Sequence, residues 1–253
     1  MKKIRYLLLI IVIVICIFFY QDPYAMEESK ILMAPTFENI LGCDNLGRDI
    51  FSRLLLGSFY TLAIAFLSIS LSVITGTIIG SLAGYFGKGI DVIIMSIVEV
   101  IMSIPGILIA LGIIIILGTG FHSLIVAIFV IYIPRCVNVV RGLVKKEKNM
   151  EYVIAVKTYG VSDLRIIYRH ILPNILKSVS LSFTTGFAGA ILTEAGLGYL
   201  GLGIQPPYPT WGNMLNQSQS YFLSAPWFTI APGLAIIFTI YQIKKLEKRG
   251  RKY

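Results

Sequence analysis

Residues 151–173 read EYVIAVKTYGVSDLRIIYRHILP, a polar, basic island between long apolar runs. Glu151 to Tyr159 holds helix-compatible residues with no Pro or Gly. Gly160 then supplies the permissive backbone that ends a helix, and Ser162-Asp163 offers an N-cap for a second one. Pro173 is expected to close that second helix. Leu164, Ile167, Tyr168 and Ile171 fall at i, i+3, i+4 and i+7, which predicts one apolar face, with Arg165 and Arg169 lying elsewhere. The stretch therefore reads as a helix, a tight turn and an amphipathic helix. Most such hairpins pack against their own chain; this one is set apart by its surroundings.

Those surroundings belong in a bilayer. The 253 residues are 56% hydrophobic, with a mean hydropathy of +0.80, too few polar residues to cover a soluble globule. The chain has 22 Lys and Arg against 13 acids, but their distribution decides more than their sum. No charge lies between Arg53 and Lys88, only Glu99 between Asp91 and Arg135, and only Glu194 between Lys177 and Lys244, gaps of 34, 43 and 66 residues. A spanning helix takes about 20 apolar residues, so spans are expected at 60–83, 92–117, 124–140, 175–194 and 228–243. The apolar run 6–20, behind a basic Met1–Arg5, adds a first span; a cleaved signal peptide is the alternative. No small-x-small site follows it, Pro23 standing three residues before Ala25, and Ile15 precedes Cys16 where a lipoprotein signal has a small residue.

Residues 21–53 carry six acids and three bases, and the other nineteen bases fall on the opposite side of a six-span arrangement. This asymmetry places both termini in the cytoplasm. The three cysteines and two histidines are scattered without metal spacing. No G-x-x-x-x-G-K-[ST] occurs, since Gly87-Lys88 is followed by Gly89, so any ATP chemistry belongs to a partner. No Ser-His-Asp or H-E-x-x-H pattern points to an enzyme.

Within these spans, Gly76, Gly80 and Gly84 recur every four residues and allow close helix approach. Glu99 sits inside the third span, where it either faces a path or braces a neighbouring helix. Pro105 is expected to kink that span, and Arg135 to snorkel from the inner end of the fourth. In 41–57, LGCDNLGRDIFSRLLLG, Asp44, Arg48, Asp49 and Arg53 can pair locally in a solvated, turn-rich cap. In 193–215, TEAGLGYLGLGIQPPYPTWGNML, Gly201, Gly203, Pro206, Pro207 and Pro209 break any helix. Irregular backbone near membrane depth must be buried in protein or line an aqueous cavity. Trp211 and Trp227 suit the outer interface. The tail KKLEKRGRKY, 244–253, reads as a basic anchor at anionic lipid.

Three segments carry a family resemblance. Ala155, Gly160 and Leu172-Pro173 are spaced as in the cytoplasmic loop of ABC importer permeases, where a Glu-Ala-Ala triplet, a Gly and a distal Leu-Pro form the coupling helices that dock on the ATPase. The triplet here is Ile154-Ala155-Val156, and His170 replaces an Ile. The 41–57 stretch resembles the segment before the second span of the dipeptide, oligopeptide and nickel permeases, with Cys43 for a Thr. The 193–215 stretch resembles their outer loop. Their usual Asn-Leu-Gly-Asp run after the last span is missing.

The resemblance implies an all-α integral membrane protein with six transmembrane helices in the type I ABC importer permease fold. Its expected parts are an N-terminal transmembrane helix 1–20, an extracellular segment 21–56, a permease domain 57–243 with coupling loop 141–175, and a cytoplasmic tail 244–253. It implies a permease of the cell membrane that moves a small solute, short peptides or alternatively nickel or a metal chelate. The implied partners are a second permease, two ATPase subunits holding ATP and magnesium, and an extracellular solute-binding protein. No cofactor, metal or nucleic acid is expected on the chain itself. Ala155, Gly160, Arg165, Arg169, Leu172 and Pro173 are expected at the ATPase, and Glu194, Gly201, Gly203, Pro206, Pro207 and Trp211 at an outer gate. An ion-coupled secondary transporter using Glu99 and Glu194, or a non-transporting structural subunit, are readings of another class.

Overall fold

The computed structural model describes residues 19–250, with side chains to residue 248. Nearly all of the 6–20 run expected as a first span lies outside the described residues. Helices dominate the rest: α1 (Ile50–Phe86), α2 (Lys88–Ser103), α3 (Gly106–Leu117), α4 (Phe121–Lys148) and α5 (Glu151–Thr158), α6 (Asp163–Tyr199), then α7 (Trp211–Ser218) and α8 (Pro226–Gly250). Among the described residues the one β feature is an isolated bridge between Cys43 and Asp49.

The charge-free gaps become helices because a bilayer leaves the backbone no partner but itself. Helices α1, α4, α6 and α8 are each apolar and long enough to cross a membrane. At 1.5 Å per residue, α1 with its 37 residues extends about 55 Å, well beyond a hydrocarbon core of about 30 Å. Helices α2 and α3 qualify only as a pair, bent by 91°. The expected kink at Pro105 is thus a full break: α2 stops at Ser103, Ile104 is extended, and Pro105 precedes the next helix. The proline's ring disfavours helical backbone at the residue before it. The described residues hold four spans, or five with the bent pair counted as one, beside the five of the expected six that fall within them.

Other boundaries moved for local reasons. Helix α4 does not end at Val140 but runs on to Lys148, so Arg135 lies further inside it than a snorkelling end position. Pro173 does not close a helix. Residues Ile167–Ile171 form a π turn, in which the Leu172 N–H donates to the Ile167 carbonyl five residues back, and the helix continues through Pro173 to Tyr199. A π turn widens the ladder by one residue and leaves room for a residue that has no N–H to give.

The chain divides into two compact units. One comprises the residues up to Leu62 with Ala195–Phe238, the other Ala63–Glu194 with the residues from Thr239. In the second unit the glycine stripe lies against α4 backbone. A Cβ on Gly76 would come within 2.5 Å of the Cys136 Cβ, on Gly80 within 2.7 Å of the Val137 carbonyl oxygen, and on Gly84 within 2.7 Å of the Arg141 carbonyl oxygen. Asp91 of α2 locks onto α4 through Arg141 Nε at 2.5 Å, Arg141 Nη2 at 2.8 Å and Lys145 Nζ at 3.0 Å. In the first unit, Ile50, Met214, Ala225 and Phe228 form the buried core.

Candidate functional site

The 151–173 hairpin is built as the sequence suggests at its turn. Helix α5 ends at Thr158, the Tyr159 N–H returns to the Ala155 carbonyl, and Gly160 takes φ +76°, a left-handed value that costs any L side chain. Ser162 occupies the cap position before α6 with extended backbone, but its side chain makes no capping hydrogen bond.

The predicted apolar face is only half right. Ile167 and Ile171 are buried, whereas Leu164 is 63% and Tyr168 58% exposed. The buried side is instead Ile166, Ile167, Ile171 and Ile175 of α6 with Val153 of α5, packed on Tyr85, Val140, Val144 and Val179. The π turn adds a residue between the two halves and rotates the later apolar positions relative to the earlier ones. Each fully buried aliphatic side chain contributes roughly 1.5–3 kcal/mol, so this underside fixes the hairpin firmly.

Polar contacts reinforce it. The Tyr85 hydroxyl donates to Asp163 Oδ1 at 2.6 Å, Lys157 Nζ stands 4.0 Å from the same oxygen, and Lys148 Nζ donates to the Tyr85 carbonyl. The ammonium groups of Lys148 and Lys157 lie 5.1 and 5.9 Å from the Tyr85 ring centre. The Tyr152 hydroxyl donates to Glu147 Oε1 at 2.6 Å and accepts from Asn174 Nδ2 at 2.8 Å. Burial, and then the hydrogen bond to Glu147, raises the Tyr152 pKa above the ordinary phenol value. Tyr85 and Asp163 were not legible as partners, because 78 residues separate them.

The outward side of the hairpin is left open. Tyr159 is 87% exposed and Ile154 55%, and Ala155, Arg165, Arg169 and Pro173 are also exposed, with Leu172 half-buried. A Cβ on Gly160 would meet no described residue within 4 Å. The exposed side of the hairpin thus carries apolar side chains together with two arginines.

The outer segment is held by different means. Asp44, Arg48, Asp49 and Arg53 are not a solvated cap, since all four are buried. Arg48 Nε and Arg53 Nε lie 2.7 and 3.3 Å from Asp44 Oδ2. Asp49 caps α1 by accepting from the Ser52 N–H and hydroxyl at 2.8 and 2.7 Å, and accepts from Asn39 Nδ2 at 2.9 Å. Burial, and then the Asp49 charge, pushes the Cys43 thiol up to about 11. Residues 200–210 are irregular, as the Gly and Pro spacing predicts, with Gly201 at φ +78° and a cis Pro206-Pro207 peptide. A Cβ on Gly203 would lie 2.7 Å from Gly198 Cα, and one on Gly212 2.6 Å from the Ala195 carbonyl oxygen. Thr210 and Asn213 form a capping box that starts α7, and Asn213 Nδ2 donates to the carbonyls of Ile204 and Tyr208 at 3.1 and 2.7 Å.

Trp211 is not an interface tryptophan but is 3% exposed, its N–H bound to Thr61 Oγ1 at 3.1 Å and its indole N–H to the Leu54 carbonyl at 3.2 Å. Trp227 is half-buried. Glu194 is fully buried on α6. Glu99 is exposed on α2 and is not brought together with the other candidate residues. No group of three His, Cys, Asp or Glu able to hold a metal occurs among the described residues.

Residues 76–245 match the family described as the binding-protein-dependent transport system inner membrane component. The chain is 39% identical over 212 residues to the dipeptide transport system permease protein DppC of Alkalihalophilus pseudofirmus, covering 84% of this chain and 70% of that protein. It is 39% identical over 225 residues to the glutathione transport system permease protein GsiD of Pectobacterium atrosepticum, covering 87% and 75%. Its fold resembles that of the methionine ABC transporter MetNI in inward-facing conformations, with a TM-score of 0.67 at 20% identity over 79% of this chain and 95% of that one. The chain therefore belongs to the binding-protein-dependent transport system inner membrane components, as a multi-pass permease subunit that is not itself an enzyme and whose ATPase is a separate subunit.

Proposed function

We propose that this chain is one of two permeases in an importer of short peptides that also holds two ATPase subunits, one of them docked on the 151–173 hairpin, with a solute-binding protein delivering to its outer loop. The observation that carries this is the hairpin's two-sidedness: an underside fixed by Ile166, Ile171 and Val153, and an open face around Tyr159 that no described residue covers. Ala155 and Gly160 keep that face low enough for close seating, and Arg165 and Arg169 pair with acids of the ATPase. Leu172 and Pro173 mark where the hairpin passes into the spanning part of α6.

Both termini lie in the cytoplasm on the distribution of basic residues. The ATPases supply ATP and magnesium chemistry. Closure of the ATPase pair moves the hairpin as a lever, which requires the hairpin to bind the open and closed pairs with different affinity. The outer loop, with Glu194, Gly201, Gly203, Pro206, Pro207 and Trp211, forms the gate. Peptides are the substrate class favoured by relatives that are named for dipeptide and glutathione transport.

Affinity purification of the tagged chain from native membranes in mild detergent tests the reading, beside a Gly160→Glu variant. The expected result is recovery of an ATPase and a second permease, with the ATPase lost in the variant. Recovery of the chain alone, from a preparation in which other complexes survive, overturns it.

A further inference from the structure

Arg135 lies well inside α4, six residues or about 9 Å along the helix from Arg141 and fourteen residues or about 21 Å from Phe121. It lines a cleft of about 130 Å³ with Ile69 of α1, Tyr132 and Cys136 of α4, and Ser182 and Thr185 of α6. That volume is roughly four waters' share of liquid, enough for the end group of a solute rather than a whole peptide. The lining residues carry one guanidinium, no carboxylate and three hydroxyls, of which that of Tyr132 lies 3.2 Å from Thr193 Oγ1.

The basic residues further along α4 and on α5 have acids close by. Arg141 and Lys145 are paired with Asp91, and Lys157 stands near Asp163. Arg135 makes no ion pair or hydrogen bond with another described residue. A guanidinium at this depth is costly unless something answers its charge, and its planar fork is shaped for two oxygens at once. Ser178, Ser182 and Thr185, at i, i+4 and i+7, continue a hydroxyl-bearing face along α6. The hydroxyls of Ser182 and Thr185 donate to their own helix, to the carbonyls of Ser178 and Leu181, each at 3.1 Å, and turn freely to a ligand.

We propose that Arg135, in the cleft it forms with Tyr132, Ser182 and Thr185, receives the terminal carboxylate of the peptide during its passage. The assignment rests on the peptide-importer reading above and names the group recognised. The same charge turns away the peptide's ammonium end, so the solute meets this cleft carboxylate first.

The test uses the complete importer in proteoliposomes, with a radiolabelled dipeptide and its C-terminal amide as probes. Delivery by the binding protein is common to wild type and variant, so the acid-to-amide uptake ratio reports the cleft. Arg135→Gln is expected to lower uptake of the acid about tenfold or more, the scale of a lost charge-assisted hydrogen bond pair, while uptake of the amide and binding-protein-stimulated ATP hydrolysis hold. Arg135→Lys is expected to restore part of the ratio. Equal loss for acid and amide, or an unchanged ratio, overturns the assignment. So does a defect that follows the content of anionic lipid in the vesicle and not the peptide terminus, which gives Arg135 to a lipid phosphate. Wild-type importer that takes up neither probe sinks the peptide reading itself, a result distinct from failure of the site.

Discussion

The hairpin and the outer segment are both short, irregular stretches beside long helices, and they are stabilised in opposite ways. The hairpin buries aliphatic side chains and leaves its arginines exposed. The outer segment buries two arginines and two aspartates and is tied by hydrogen bonds. Apolar packing tolerates loss in increments, one side chain at a time. A buried ionic network does not, because removing one member strands the charge of another. The hairpin is thus suited to absorbing small losses of packing, and the outer segment to holding a single geometry.

The largest effect is expected where that contrast is sharpest. Asp44→Ala leaves Arg48 and Arg53 buried without their acid, a loss of about 3–5 kcal/mol, to be read as reduced yield and a lowered melting temperature of the detergent-solubilised chain. Replacing Asp44, Arg48 and Arg53 together by apolar residues of similar volume is expected to recover most of that loss. Failure to recover it would mean that the network's hydrogen bonds, not its charges, hold the segment. Ile171→Ala in the hairpin is expected to cost about 2–4 kcal/mol through the cavity it leaves, with ATPase retention in a pull-down falling as the lever loosens.

Two glycine substitutions separate space from conformation. Gly203→Ala forces a Cβ to 2.7 Å from Gly198 Cα, and overpacking of this kind costs about 1–3 kcal/mol. Gly160→Ala meets no described neighbour and carries only the left-handed penalty of about 1–2 kcal/mol. A loss of ATPase binding by Gly160→Ala greater than its loss of stability would locate the partner's surface at that turn.

The smallest effect is a rate. With its thiol pushed up to about 11, Cys43 is expected to react slowly with N-ethylmaleimide at pH 8, since the thiolate is the nucleophile. The folded state holds this proton more tightly than the unfolded one. The associated stability is therefore complete below pH 9 and lost as pH rises toward 11, and a melting series across that window checks the sign.

What the sequence made legible follows from which constraints are local. Spans were visible because a bilayer demands long charge-free stretches, and the hairpin turn because Gly160 alone can take its backbone angle cheaply. The hairpin's buried face was not, because a π turn leaves no mark in residue spacing, and Leu164 and Tyr168 were assigned to the wrong side. The local pairing of Asp44 with Arg48 and Arg53 was legible from their closeness in sequence, but the charges read as solvated because burial depends on what folds over them. Trp211 read as an interface residue because nothing near it in sequence reveals that the Leu54 carbonyl, 157 positions away, waits for its indole.

The π turn at Ile167–Ile171 also sets a rule for length changes. It stores one surplus residue, worth about 100° of helical phase and 1.5 Å of rise. Deleting a residue inside it would let the helix relax to ordinary pitch and keep Ile175, Val179 and the hydroxyl face of α6 in step. The same deletion after Pro173 has no slack to draw on, and would turn Ser182 and Thr185 out of phase with everything before them. Along α6, tolerance to indels is a property of one turn.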